Sequence, residues 1–189
     1  VGKFQNEVLK PEAKSVVEMV ENDIRGEKVE HLYVFDQAGK KLFETKGNAE
    51  NVELTGDEYK GAVLTHNHPA SEKWEYPPSF STNDVSNGIK AGFAQIRAVS
   101  TEHTYIVDFA ETVRGNRRFE TDLMARATEV RLDIADELKD TMAKTKWMAE
   151  REHLVWSKLA KENPNEIKYE RKVYNSSSPD NLTTVSMMN

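Results

Sequence analysis

The chain has 189 residues and a formal net charge of -6, and it contains no cysteine. This acidic balance argues against a general nucleic-acid-binding surface, and the absence of cysteine excludes disulfides, thiolate zinc sites and cysteine nucleophiles. No segment approaches the roughly eighteen apolar residues of a membrane span, so we expect neither a span nor a signal peptide and place the protein in the cytoplasm.

Helical and extended patterns alternate over the first part of the chain. A helix is predicted from Pro11, which suits a first turn, up to Gly26, because apolar residues recur at helical spacing between them. Strands rich in β-formers are predicted at residues 30–36, 41–45, 96–100 and 105–109, with 51–55 as a further candidate. Residues 37–39 predict a turn and residues 55–58 a short helix or turn. This alternation favours an α/β fold with a mixed central sheet flanked by helices.

The segment Thr65-His66-Asn67-His68-Pro69 is the most informative part of the chain. Small or apolar residues at 61–64 precede it, so we predict a buried strand that ends at Pro69. Residues i and i+2 of a strand project to the same face of the sheet. His66 and His68 are therefore able to bind one metal ion together.

A carboxylate follows in Ser81-Thr82-Asn83-Asp84, where a helix over residues 82–91 is predicted to begin. Asp84 would complete a set of three protein ligands with an open fourth position, which is typical of a catalytic zinc site. The same residues also have the pattern of a helix N-terminus, with Ser81 as N-cap and Asp84 at N3. Both roles are compatible, because a capped first turn presents Asp84 rigidly.

The pattern changes to a single amphipathic stripe after residue 118. Its apolar positions are Leu123, Ala127, Val130, Ile134, Leu138 and Met142. As one helix, residues 119–162 would extend about 66 Å, so we predict either two helices with a break near Thr145-Lys146 or a projecting helix that binds another copy or a partner. We therefore divide the chain into a domain at 1–118, a helical extension and assembly element at 119–165, and a partly disordered tail at 166–189.

The site residues resemble the signature of the JAB/MPN (JAMM) family of zinc metallopeptidases, over roughly residues 14–109. That signature is an upstream glutamate, His-Ser/Thr-His-Pro, a loop and Ser-x-x-Asp. Here it reads Glu30, His66-Asn67-His68-Pro69 and Ser81-Thr82-Asn83-Asp84. Asn67 and the Phe80-Ser81 pair are most similar to bacterial and phage members, including RadC-like proteins and JAB domains of phage minor head proteins. The loop of twelve residues between His68 and Ser81 is longer than is usual in the family.

The resemblance implies a cytidine-deaminase-like layout and a peptidase or isopeptidase that hydrolyses an amide bond in a protein or peptide, in the virion if the protein comes from a phage. It implies Zn²⁺ held by His66, His68 and Asp84. It also implies Glu30 as general acid/base and Ser81 as oxyanion donor. Three other acidic residues remain alternatives to Glu30: Glu27, Glu44 and Glu53.

The main alternative function is a JAB-like binding or assembly module of a phage structural protein, without catalysis. A cupin-like site matches only the fragment His66-x-His68-x₃-Glu72 and lacks the flanking glycines of that motif. HNH nucleases spread their three residues along a ββα unit, whereas His66-Asn67-His68 are adjacent here. A zinc deaminase requires a cysteine pair, and the chain has no cysteine. We expect the loop at residues 70–80 to border the site, with Trp74 and Tyr76 in it. The other histidines are predicted to have ordinary roles: His31, His103 and His153.

Overall fold

The computed structural model describes residue 4 and residues 7–47, 52–54, 56–70, 76–141 and 144–176. That part of the chain forms one six-stranded mixed sheet with four α-helices, which confirms the predicted α/β class. The strands are His31–Phe35 (β1), Lys41–Lys46 (β2), Val63–Asn67 (β3), Gln95–Val99 (β4), His103–Phe109 (β5) and Ile167–Val173 (β6). The helices are Pro11–Ile24 (α1), Thr82–Ala91 (α2), Arg117–Leu138 (α3) and Lys144–Glu162 (α4). None of the described helices combines the length and apolar character that crossing a membrane requires.

The strand order across the sheet is β2-β1-β3-β4-β5-β6, and β3 and β4 form the one parallel pair in it. Parallel neighbours need a crossover connection, which α2 provides. β3 therefore lies near the middle of the sheet, with His66 opposite Leu32 on β1 and Ala98 on β4. The crossover carries the chain from the histidines to the first turn of α2.

Local signals define where α2 begins and ends. Ser81 is its N-cap, and Gly92 follows its last turn with a left-handed φ of 80°. A glycine in that position satisfies the end of a helix without the steric penalty of a Cβ atom. The predicted bounds of this helix, 82–91, are confirmed.

Two apolar clusters cover the two faces of the sheet. The smaller cluster lies under α1 and includes Val17, Phe35 and Val63. Beside it, Arg97 on β4 forms a bidentate ion pair with Glu21 on α1, and both side chains are buried. The larger cluster lies on the opposite face, where α2, α3 and α4 pack.

The amphipathic stripe forms two helices that fold back on each other. α3 ends at Leu138 and α4 already begins at Lys144, so the break precedes the predicted Thr145-Lys146. Val130 of α3 and Trp156 of α4 belong to the same core cluster as the strands. The predicted boundary between residues 118 and 119 therefore does not separate two cores. An amphipathic stripe has the same sequence pattern whether it covers its own sheet or a partner.

The predicted tail at 166–189 contains β6, which pairs antiparallel along β5 over seven residues. This strand lies at the edge of the sheet, where few apolar residues are needed. Because charged residues alternate along it, its sequence does not have the composition typical of a strand. β3 also ends at Asn67, so His68 follows the strand and is not part of it.

Some predicted features fall partly or wholly outside the described residues. Residues 52–54 of the candidate strand 51–55 are not part of a strand, and residues 51 and 55 are outside the description. The same holds for these positions: Glu72, Trp74, Met142 and residues 177–189.

Candidate metal centre

The three predicted metal ligands converge where β3 meets the first turn of α2. Nε2 of His66 lies 2.8 Å from Nε2 of His68. The Asp84 carboxylate places Oδ1 3.7 Å from Nε2 of His66 and Oδ2 3.8 Å from Nε2 of His68. These ligand atoms all lie within 4.8 Å of one another, and no second group of this kind occurs in the described ranges.

The donor set and its spacing fit a divalent metal ion. Zinc bonds of about 2.0–2.2 Å at tetrahedral angles separate two ligand atoms by roughly 3.3–3.5 Å. The observed separations of 2.8, 3.7 and 3.8 Å lie on both sides of that value. His66 is 2% exposed and Asp84 26% exposed, so solvent reaches the group from the side of the carboxylate.

Hydrogen bonding also leaves His68 ready to bind a metal. Nδ1 of His68 lies 2.8 Å from the carbonyl oxygen of Pro78. A carbonyl oxygen can only accept, so Nδ1 carries the proton and Nε2 presents its lone pair to the group. Nδ1 of His66 is buried without a hydrogen-bond partner in the described structure. The nearby backbone of Arg97 contributes to raising the pKa of this histidine.

Interactions among the three predicted ligands shift the pKa of each of them. Burial lowers the pKa of His66, but the carboxylate of Asp84 outweighs it, and the pKa lies above its usual value. Burial, together with the neighbouring His66, lowers the pKa of His68 to about 4. Burial raises the pKa of Asp84, and the imidazoles outweigh it, so this carboxyl stays ionised well below its usual range. A divalent ion in this group therefore has one carboxylate charge to pair with, and it competes with a proton on His66.

The predicted capping box at the start of α2 is confirmed. Oγ of Ser81 accepts a hydrogen bond from the backbone N–H of Asp84 at 3.1 Å, and Oδ2 of Asp84 accepts from the N–H of Ser81 at 2.6 Å. The cap therefore orients the carboxylate as well as the helix. Because Ser81 uses its oxygen as acceptor here, its O–H proton remains able to donate to another group.

Glu30 directly precedes β1 and lies on the wall of the same cavity as His66 and Asp84. Its charge contributes to the raised pKa of His66. Among the alternatives, Glu53 also lines this cavity, whereas Glu27 and Glu44 do not. Glu44 forms an ion pair with Lys41 on the exposed strand β2. Of these four acidic residues, Glu30 and Glu53 therefore lie on the cavity wall.

The side chain of Asn67 holds the segment that carries Glu30. Its Oδ1 accepts a hydrogen bond from the N–H of His31 at 2.6 Å. Its Nδ2 donates to the carbonyls of Val29 at 3.1 Å and Glu27 at 3.4 Å. Asn67 is fully buried, so these bonds fix the backbone on both sides of Glu30 against the strand of the metal ligands. No local pattern predicts this role, because the partners lie 36 to 40 residues away in the chain.

The loop that precedes Ser81 is held by the C-terminal elements. Nε1 of Trp156 on α4 donates to the carbonyl of Phe80 at 2.8 Å. Oγ of Ser79 lies 2.9 Å from the hydroxyl of Tyr169 on β6. Since Pro78 in the same loop accepts from His68, the two anchors lie one and two residues from the carbonyl that orients a metal ligand.

Further contacts extend this support. The hydroxyl of Tyr169 lies 2.8 Å from Nδ1 of His153, so this histidine has an ordinary hydrogen-bonding role, as predicted. Arg131 on α3 donates to Oγ1 of Thr82 at 3.0 Å and pairs with Glu152 on α4. Helices α3 and α4 are thus connected to both ends of the turn that contains Ser81.

We compared the chain with family models, with curated proteins and with solved structures, and it matches none of them.

Proposed function

We propose that the chain is a zinc-dependent amide hydrolase, a peptidase or isopeptidase with the JAB/MPN layout, acting on a protein or peptide. The observation that carries this proposal is the position of Glu30 on the cavity wall that also contains His66 and Asp84. A structural metal site uses all its positions for ligands, whereas a catalytic site combines three ligands with an open side and a nearby base.

Each residue of the site has a distinct task in this proposal. His66, His68 and Asp84 would hold the zinc ion, which would supply a water molecule of lowered pKa and polarise the substrate carbonyl. Glu30 accepts a proton from the attacking water and returns it to the leaving amine. The hydroxyl of Ser81 donates a hydrogen bond to the oxyanion that forms on the substrate carbonyl. Its oxygen continues to accept the hydrogen bond from the N–H of Asp84.

Metal analysis tests the first half of the proposal. We expect one zinc per chain, and we expect its loss in His66→Ala, His68→Ala and Asp84→Ala. Zinc should raise the melting temperature of the wild type and leave that of the three variants unchanged, because a ligand that binds the folded state stabilises it. The matched control is His103→Gln, which removes a histidine that is not in the ligand group and should keep the zinc. A wild-type chain that takes up no zinc contradicts the proposal.

Hydrolysis tests the second half. The zinc-loaded chain is incubated with a diverse peptide mixture, and products are identified by mass spectrometry. Glu30→Gln should retain zinc and lose about 10²–10⁴-fold in rate, which is the usual contribution of a general acid/base. Glu53→Gln should keep nearly full activity, and the opposite result would assign the base to Glu53. Zinc binding without hydrolysis of any peptide or of isopeptide-linked proteins would favour a binding or assembly module.

A further inference from the structure

A cavity of about 440 Å³ lies directly beside the metal ligands. Its wall contains His66, Asp84 and Glu30 at the metal centre, and it continues along the sheet between α2 and residues 52–54, 56 and 57. Protein pockets that enclose small ligands have volumes of about 300–1,000 Å³. The cavity is thus large enough for a side chain together with the backbone that carries it.

The sheet register makes the floor of this cavity apolar. Leu64 lies two residues before His66 on the same face of β3, and Leu32 lies opposite His66 on β1. Ile96 on β4 lies opposite Leu64. Neighbouring positions on one face of a sheet are about 5 Å apart, so a group beside His66 contacts these side chains directly. Leu64 is partly exposed, whereas Leu32 and Ile96 are buried beside it, so Leu64 supplies most of the accessible surface of these three floor residues.

Apart from Glu30 and Asp84 at the metal centre, the charged residues of the cavity lie at its exposed border. They are Glu53, Asp57, Lys60, Lys90 and Arg117. Lys60 pairs with Asp57 at 2.7 Å, and both side chains are largely in solvent. At the floor itself, an unpaired charge would be desolvated at high cost.

We infer that this cavity is the specificity subsite of the enzyme and selects a large apolar side chain, of the size of Leu or Phe, next to the scissile amide. This inference rests on the proposed function for the amide, while the subsite itself requires only the metal ligands and the floor. Each methylene buried on Leu32, Leu64 and Ile96 tightens binding by about fourfold. An alanine side chain is too short to cover the floor, so it gains little affinity. An aspartate side chain would lose its hydration there, which opposes binding.

Amino-acid hydroxamates test the subsite without a known substrate. The hydroxamates of alanine, leucine, phenylalanine and aspartate chelate zinc through the same group and differ only in the side chain. Each is titrated into the zinc-loaded full chain by calorimetry. We expect the leucine and phenylalanine compounds to bind at least tenfold more tightly than the alanine compound, and the aspartate compound to gain nothing. Equal affinities for all four would overturn the inference.

Two substitutions change the cavity in opposite directions. Ala91→Leu extends a side chain from α2 into the cavity and should remove the preference for large side chains. Leu64→Ala enlarges the floor and should favour phenylalanine over leucine hydroxamate. Ala125→Leu adds the same bulk at an exposed position on α3 and serves as the matched control. Circular dichroism checks the fold of each variant. If the relative affinities of the four hydroxamates are the same in both cavity variants as in the wild type, the inference is contradicted.

The variant Glu30→Gln separates this inference from the proposed function. Chelation needs no general base, so the side-chain preference should persist in Glu30→Gln while hydrolysis is lost. A clear preference in a chain that cleaves no peptide overturns the proposed function and supports the subsite. Cleavage of peptides without regard to side-chain size supports the proposed function and overturns the subsite.

Discussion

Asn67 satisfies three backbone groups with one buried amide: the N–H of His31 and the carbonyls of Val29 and Glu27. A serine or threonine hydroxyl has one proton to donate, so it cannot bond both carbonyls and is too short to replace the whole amide. At this position the chain departs from the His-Ser/Thr-His pattern of the family it resembles. Asn67, between the two proposed metal ligands, therefore fixes the backbone around the proposed base Glu30.

Asn67→Ser should lower the free energy of unfolding by about 1–3 kcal/mol, because it leaves buried backbone groups without partners. The zinc content should remain at one per chain, since the ligands are unchanged. Hydrolysis should fall toward the level of Glu30→Gln as the glutamate loses its fixed position. Urea denaturation, metal analysis and the peptide assay measure these three effects.

A double-mutant cycle distinguishes positioning from a general loss of stability. When Glu30 is already Gln, adding Asn67→Ser should cost stability again but reduce hydrolysis no further. Asn116→Ser is the matched control, because serine replaces asparagine at the N-cap of α3 with little cost. A full additional loss of rate in the double mutant would show that Asn67 acts independently of Glu30.

The residues of the site that the sequence predicts are those with short-range signals. His66 and His68 are two residues apart at a strand end, and Ser81 and Asp84 are three apart at a helix start. Each spacing follows from the geometry of one element, so the local pattern is enough. Asn67 bonds residues far away along the chain, and Glu30 and Glu53 line a cavity that only the folded chain creates, so spacing alone left the proposed base undecided.

At the scale of elements, α4 and β6 hold Ser79 and Phe80, which lie between the proposed metal ligands His68 and Asp84. Trp156→Phe removes the hydrogen bond to the carbonyl of Phe80, and Tyr169→Phe removes the one to Ser79. We expect zinc affinity to fall by about 10-fold in each variant, because groups that orient metal ligands typically contribute 10–100-fold to affinity. Competition with a fluorescent chelator measures this change.

Tyr33→Phe is the control for these variants. Tyr33 stacks on Phe35 in β1, where it packs against the cluster under α1 and not against the loop. Its zinc affinity should equal that of the wild type. If Trp156→Phe and Tyr169→Phe also bind zinc as tightly as the wild type, the C-terminal elements stabilise the core without orienting the site.

The predicted elements match the structure best where sequence marks their ends. Ser81 and Gly92 define α2, and Pro11 begins α1. β6 has no such marks, since lysine and glutamate alternate with its inward-facing residues Ile167, Tyr169 and Arg171. An edge strand needs little apolar surface, and its place in the sheet is set by pairing with β5.

At the scale of the whole molecule, the described C-terminal elements α3, α4 and β6 contribute to the core. Trp156 and Leu159 of α4 are almost completely buried in the cluster that includes Ile96 and Val107 of the sheet. A chain that ends after Arg118 loses these residues and leaves β5 without its outer neighbour β6. The amphipathic pattern alone had favoured an assembly element, because it specifies an apolar face and not the surface that covers it.

We expect the chain truncated after Arg118 to lack a cooperative thermal transition and to bind zinc poorly. Removing several fully buried side chains costs about 2–5 kcal/mol each, and a typical domain has only about 5–15 kcal/mol of net stability. Circular dichroism melting of the truncated and full chains measures the difference. A sharp transition with full zinc binding in the truncated chain would restore the assembly element as a separate unit.

The ligands and their supports differ in how far apart they lie along the chain, and this orders the assembly of the site during folding. His66 and Asp84 are separated by eighteen residues. The anchors from Phe80 to Trp156 and from Ser79 to Tyr169 span 76 and 90 residues. Closing a loop of 90 residues costs about 1.4 kcal/mol more conformational entropy than closing one of 18. We therefore expect the group of His66, His68 and Asp84 to form early in folding, and we expect it to bind an ion tightly only once β6 has completed the sheet.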